Sequence, residues 1–82
     1  MYYLYIVTCA DGSLYTGVTT DVKRRIEEHN ASKRGSRYTR ARRPVILVYS
    51  KKCKTRALAQ VEEAHIKKLS RVEKMKLIQP SR

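Results

Sequence analysis

Eighty-two residues provide one hydrophobic core and exclude a second, because a chain of this size buries only about 60–65% of its unfolded surface. With 41% hydrophobic residues but no Phe or Trp, that core must come from Leu, Ile, Val, Ala and the bodies of six Tyr. Nineteen Lys and Arg against seven Asp and Glu give a formal charge of +12, the footprint of a phosphate-backbone binder.

The apolar run Tyr2–Cys9 is far too short to span a bilayer and has no basic segment before it. No basic helix carries the broad Leu, Phe and Trp face of a membrane-surface binder. A soluble, cytoplasmic protein without a membrane partner is therefore expected.

Tyr2–Thr8 and Ser13–Thr19 are rich in Tyr, Ile, Val and Thr and flank Asp11-Gly12, which predicts a β-hairpin. A two-residue loop would set Tyr5 opposite Val18 and put Tyr5 and Tyr15 on opposite faces. A three-residue loop, Ala10-Asp11-Gly12 with Gly12 in the left-handed region, sets Tyr5 opposite Gly17 and Val7 opposite Tyr15. The second register is preferred, because it also gathers Leu4, Ile6, Leu14 and Val18 on one face as a cleaner core.

Thr20 or Asp21 is a plausible N-cap for a helix running to about Ala31. At 100° per residue, Val22, Arg25, Ile26 and His29 share one side of it, while Arg24, Glu27, Glu28 and Ala31 lie on the other. Ser32–Arg43 reads as a basic loop with one short helical turn near Ser36–Ala41. Its cations, Lys33, Arg34, Arg37, Arg40, Arg42 and Arg43, are the candidate nucleic-acid contacts.

A third strand is expected from Pro44 through about Ser50, and its continuous apolar character suggests cover on both faces. A helix follows from Thr55 to about Leu69, and Ser70 caps or kinks into a last helix ending before Pro80. The order β-β-α-(α)-β-α-α describes an α+β fold, a small, mainly antiparallel three-stranded sheet flanked by helices, in a single domain over residues 1–82. Cys9 and Cys53 lack metal-ligand spacing and are expected to be small buried residues.

Chemistry is suggested by coincidence rather than by any one residue. In the preferred register Tyr5 and Tyr15 share the less apolar face next to Gly17, and a glycine within a strand often marks a close approach by a ligand or another backbone. Arg25 and His29 lie one helical turn apart beside Ile26. A guanidinium suits charge developing on a phosphoryl oxygen, and an imidazole can accept or relay a proton near neutral pH.

Tyr3-Leu4-Tyr5, Tyr15-Thr16-Gly17, Arg25, His29 and a Glu in the helix after the third strand together resemble the GIY-YIG nuclease domain, over nearly the whole chain. The stretch Lys33–Val48, with Tyr38-Thr39 and Arg42-Arg43-Pro44-Val45, and the later Ile66–Arg71, resemble the small stand-alone bacterial members. The resemblance implies an endonuclease that hydrolyses nucleic-acid phosphodiesters with Mg²⁺ or Mn²⁺, with DNA as the expected polymer and RNA left open. In a chain this short, recognition is expected by structure or backbone rather than by sequence.

The resemblance also implies roles. Tyr5, Tyr15, Arg25 and His29 would be catalytic, Gly17 structural within the site, and Glu63 the metal ligand, matched through Ala59 and Ile66. On the helical wheel Glu62 is its rival, lying between Leu58 and Ile66. Tyr5 is the first choice for the base that activates water, with Tyr15 placing the water or phosphate and His29 orienting or deprotonating the phenol or water. The residues alone do not rank the two tyrosines, and a phenol of pKa near 10 must be poised at a cost of about 4 kcal/mol.

The pattern departs from the family at Tyr3, where the first motif often has Gly, and in lacking the Asn common after the metal Glu; the only Asn is Asn30. Two alternatives stand beside the nuclease: a catalytically inactive nucleic-acid-binding module of the same fold, and a basic protein docking on an acidic partner protein. Oligomeric state is not implied either way.

Overall fold

The computed structural model describes residues 1–31, 34 and 36–78. Its elements are β1 (Tyr2–Thr8), β2 (Leu14–Thr19), α1 (Val22–Ala31), α2 (Arg37–Arg40), β3 (Ile46–Cys53), α3 (Arg56–Lys67) and α4 (Arg71–Ile78). The three strands form one antiparallel sheet in the order β2-β1-β3, so the fold is α+β as expected.

The hairpin takes the three-residue loop. Tyr5 stands opposite Gly17 and Val7 opposite Tyr15. The Cys9 amide donates to Ser13 O at 2.8 Å and the Gly12 amide to Cys9 O at 2.9 Å, with Gly12 at φ 84°, where an L side chain would be strained. Asp11 stiffens the loop by accepting from the Ser13 amide at 3.0 Å and the Ser13 hydroxyl at 2.6 Å.

Four consecutive residues of β1, Leu4, Tyr5, Ile6 and Val7, are buried, because this strand lies between its two neighbours and is covered on both faces. Leu4 and Ile6 pack with Ile66 of α3, with Leu14, Val18, Leu69 and Ile78 around them. Tyr5 and Val7 pack with Cys9 and Val45 on the other face, with Tyr15 and Ile26 of α1 against them. The face holding the tyrosines is therefore a second core rather than a weakly apolar surface.

The expected double cover of the third strand is not found. β3 begins later, at Ile46, and is an edge strand with Ile46 at 62% and Leu47 at 39% exposure. An apolar run records hydrophobicity but not position in the sheet, and here the central position goes to β1.

The helices begin where their caps place them. Asp21 accepts from the Arg24 amide at 3.0 Å, and Thr55 from the Leu58 amide at 3.1 Å. Ser70 and Glu73 form a reciprocal capping box at 2.9 and 3.2 Å, which starts α4 afresh after α3. Asn30 joins the end of α1 to the approach to β3: its Nδ2 donates to Val45 O at 3.0 Å and its Oδ1 accepts from the Val45 amide at 2.6 Å. Cys9 and Cys53 are buried free thiols, and no described helix is long and apolar enough to cross a membrane.

Candidate active site

Tyr5 projects from the centre of the sheet across β2, where Gly17 has no side chain to obstruct it. A β-carbon there would meet the Tyr5 ring at 2.5–2.9 Å, so the close approach is made by the tyrosine itself and not by a ligand or a second backbone. The ring ends against α1, where the Tyr5 hydroxyl lies 2.7 Å from His29 Nε2. Both residues are buried, at 1% and 0% exposure.

The wheel position of His29 beside Ile26 turns the imidazole inward. Its second nitrogen, Nδ1, lies 2.8 Å from the hydroxyl of Thr39, a fully buried residue of α2. Ser36, the N-cap of α2, holds that threonine by accepting from its amide at 3.1 Å and by a hydroxyl–hydroxyl contact of 2.9 Å. Burial lowers the His29 pKa to about 4, with the Arg25 charge adding to the effect, so the ring is neutral near pH 7.

Arg25 is half-buried on the same face of α1, and Arg24 points to solvent with 61% of its side chain exposed. The Arg25 guanidinium donates to Glu28 at 3.0 Å and to Arg34 O at 2.8 Å. Burial opposes its charge, but Glu28 and Tyr5 outweigh that effect and raise its pKa above the ordinary value. Burial also pushes the Tyr5 phenol up to about 12, against the pull of Arg25.

Tyr15 is half-buried and lies at the rim. Its ring meets His29 edge-on at 5.4 Å, is tilted to Tyr5 at 6.5 Å, and stacks on Tyr38 of α2 at 5.8 Å. Arg42 covers Tyr38 with its guanidinium carbon 3.9 Å from the ring centroid, held by Asp11 at 3.0 Å and by Tyr38 O at 2.9 Å. Aromatic rings thus run from the buried Tyr5 to the exposed edge of α2.

The basic loop divides into two groups. Arg34, Arg37 and Arg40 are exposed. Arg42 and Arg43 are half-buried and serve the fold: Arg43 Nε donates to His29 O and its Nη2 to Glu28 O at 3.3 Å, closing the end of α1. Lys33, the remaining candidate, lies outside the described residues.

On α3 the two glutamates diverge. Glu62 pairs with Lys51 of β3 at 3.2 Å, and Glu63 pairs with Lys67 on its own helix at 3.3 Å. The Glu63 charge is felt at the Tyr5 hydroxyl. Tyr5, Tyr15, Gly17, Arg25 and His29 thus form one cluster, and Glu63 bears on it only as the smallest of the influences on the Tyr5 phenol. Sequence reasoning did not assign Ser36, Tyr38 or Thr39 to this cluster; the available signals were the Ser36-x-x-Thr39 spacing of a capped turn and the Tyr38-Thr39 pair singled out above.

The GIY-YIG catalytic domain matches this chain over residues 1–76. A UPF0213 protein of Desulfotalea psychrophila is 54% identical, covering 98% of this chain and 73% of that protein. A second UPF0213 protein, from Staphylococcus haemolyticus, is 50% identical over 95% of this chain and 94% of its own. The solution structure of a UPF0213 protein from Bacillus halodurans superposes with a TM-score of 0.61 at 47% identity, covering 95% of this chain and 83% of the other.

Proposed function

Because the chain belongs to the GIY-YIG catalytic-domain family, a family of nucleases, we propose that it is a divalent-metal-dependent endonuclease acting on DNA through structure and backbone rather than sequence. The observation that carries the proposal is the buried 2.7 Å contact between Tyr5 and His29 beside Arg25, in a chain of formal charge +12.

Glu63 would hold Mg²⁺ or Mn²⁺. Its carboxylate is a hard oxygen donor at a half-buried position, and among the described residues no group of three or more His, Cys, Asp or Glu is gathered. One protein carboxylate with water completing the shell is the coordination habit of Mg²⁺, so the donor set fits. The cation would stabilise negative charge on the leaving oxygen.

Tyr5 receives a proton from the attacking water as it passes its own to His29 Nε2. From the resting state a free Tyr5 phenolate at pH 7 would cost about 7 kcal/mol, five pKa units, so transfer of the two protons in one step is favoured over a separate ionisation. The hydroxide so formed bonds to phosphorus as the leaving oxygen departs. Arg25, which stays protonated, neutralises a non-bridging oxygen. Tyr15, at the half-exposed rim, orients the water or the phosphate.

A nucleic-acid-binding module that does not cleave is the second reading. It is favoured by Asn30, the only asparagine, being engaged with the Val45 main chain rather than following the metal glutamate. Cleavage of a panel of branched and linear DNAs, with Mg²⁺ or Mn²⁺ and with chelator, separates the two. Metal-dependent strand scission supports the nuclease, and salt-sensitive binding without scission supports the module.

A further inference from the structure

We propose that Thr39 is a positioning residue that fixes His29 in the tautomer with its proton on Nδ1, leaving Nε2 as the acceptor facing Tyr5. Its catalytic consequence rests on the nuclease proposal above; the assignment of the proton does not.

The proposal follows from accounting for donors and acceptors in a buried cluster. The Tyr5 hydroxyl is buried and makes one described hydrogen bond, to His29 Nε2. The phenolic hydrogen therefore needs an acceptor, and His29 Nε2 lies 2.7 Å away. With Nε2 accepting, a neutral imidazole must carry its hydrogen on Nδ1, and Thr39 Oγ1 stands 2.8 Å from that atom. The threonine hydrogen has its own acceptor, Ser36 O at 3.1 Å, so a lone pair is left for Nδ1–H.

The opposite tautomer would put a donor, Nε2–H, against the Tyr5 oxygen and leave the buried phenolic hydrogen without a described acceptor. It would also turn the Thr39 hydroxyl away from Ser36 O. Its one advantage is the Ser36 amide, which points at Nδ1 from 3.4 Å, a longer contact than the 2.8 Å made by Thr39. Among the described residues every buried side-chain nitrogen and oxygen has a partner, so the chain Tyr5, His29, Thr39, Ser36 is closed.

When His29 takes the Tyr5 proton, the Nε2–H bond forms as the phenolic O–H bond breaks, and the imidazolium keeps its Nδ1–H bond to Thr39 without any rotation. A hydroxyl, unlike a carboxylate, orients the ring without adding a negative charge beside it. The ring thus stays neutral with its Nε2 lone pair held toward Tyr5.

Long-range ¹H–¹⁵N spectra of the metal-free protein at pH 7 test the assignment. His29 is expected to show a protonated Nδ1 and a bare Nε2, and a wild-type ring protonated on Nε2 would overturn the proposal whether or not any variant folds. Thr39→Val is expected to mix the tautomers and to lower kcat roughly tenfold to a hundredfold with KM for DNA unchanged, the scale of loss when the partner orienting a functional histidine is removed. Thr39→Ser should restore both readouts. A Val variant with the wild-type ring signature, or a Ser variant as impaired as Val, would overturn the role. If the wild-type protein cleaves no DNA, the nuclease proposal fails, while the ring spectrum still decides the tautomer.

Discussion

The β-carbon that Gly17 lacks would sit 2.5 Å from the hydroxyl oxygen of Tyr5 and 2.6 Å from the ring carbon bearing it. The ring lies directly on the backbone of β2, and only in that position does its hydroxyl meet His29. Gly17 is required here for space rather than for backbone freedom, since among the described residues the glycine at positive φ is Gly12.

Gly17→Ala should therefore force a buried ring to move. A loss of about 1–3 kcal/mol is expected from overpacking, together with rupture of the Tyr5–His29 contact. Tyr5→Phe keeps the packing but leaves the buried His29 Nε2 unpaired, for about 1–3 kcal/mol, without the steric displacement of the ring. Because Gly17→Ala adds overpacking to the loss of the same contact, denaturant unfolding should show it as the less stable of the two variants.

Stability should depend on pH through His29. Its folded pKa of about 4 lies below the ordinary 6.5, so between those values the unfolded chain binds the extra proton. The contribution of the neutral ring is complete above pH 6.5 and is lost as pH falls toward 4, by about 3 kcal/mol in total. His29→Gln should remove this part of the profile, which denaturant midpoints at pH 7 and pH 4.5 would reveal as a smaller difference than in the wild type.

Arg25 and Arg24 are adjacent in the chain and opposite in setting. Arg25→Ala is expected to lower cleavage by about a hundredfold or more while the protein still folds, because a donor aimed at developing phosphoryl charge is removed. Arg24→Ala, at an exposed position, should change cleavage little. Equal losses in single-turnover assays would show that the helix face has been assigned wrongly.

Glu63→Gln should keep DNA affinity and lose Mn²⁺ binding along with cleavage, since it removes charge from the metal position and none from the basic surface. Glu62→Gln should retain both activities and lose only its exposed pairing with Lys51. Isothermal titration of Mn²⁺ beside a cleavage assay distinguishes the two, and the reverse pattern would transfer the ligand to Glu62.

DNA affinity should follow salt. Neutralising about five phosphates predicts a slope of log K against log salt near −4.5 on duplex DNA. Arg37→Ala and Arg40→Ala should each reduce its magnitude by about 1. Arg43→Ala should instead destabilise the fold, because its guanidinium is bonded to the last carbonyls of α1.

Much of this fold was legible because local rules act through the backbone. The hairpin register followed from a two-residue period and a loop ending at Gly12, and the inward side of α1 followed from the spacing of Val22, Ile26 and His29. What stayed hidden depends on neighbours distant in the chain. An apolar run does not say whether a strand is central, so β3 was misplaced as doubly covered. Charge counts do not say which arginine is already engaged, so Arg43 resembled a phosphate contact. Thr39 sits in a four-residue helix with no amphipathic pattern to mark it, and its partner is ten residues away. The cost of ionising Tyr5 is not legible in the sequence, because burial, which raises its pKa to about 12, is a property of the folded surroundings.

The shortness of α2 has a spatial consequence. Within four residues it carries two outward cations, Arg37 and Arg40, and the inward hydroxyl of Thr39. The hydroxyl that bonds the buried imidazole and the two outward cations thus share a single turn, Thr39 lying next to Arg40 in the chain. In the proposed nuclease, a phosphate held at Arg37 or Arg40 would sit within one helical turn of the group that orients His29.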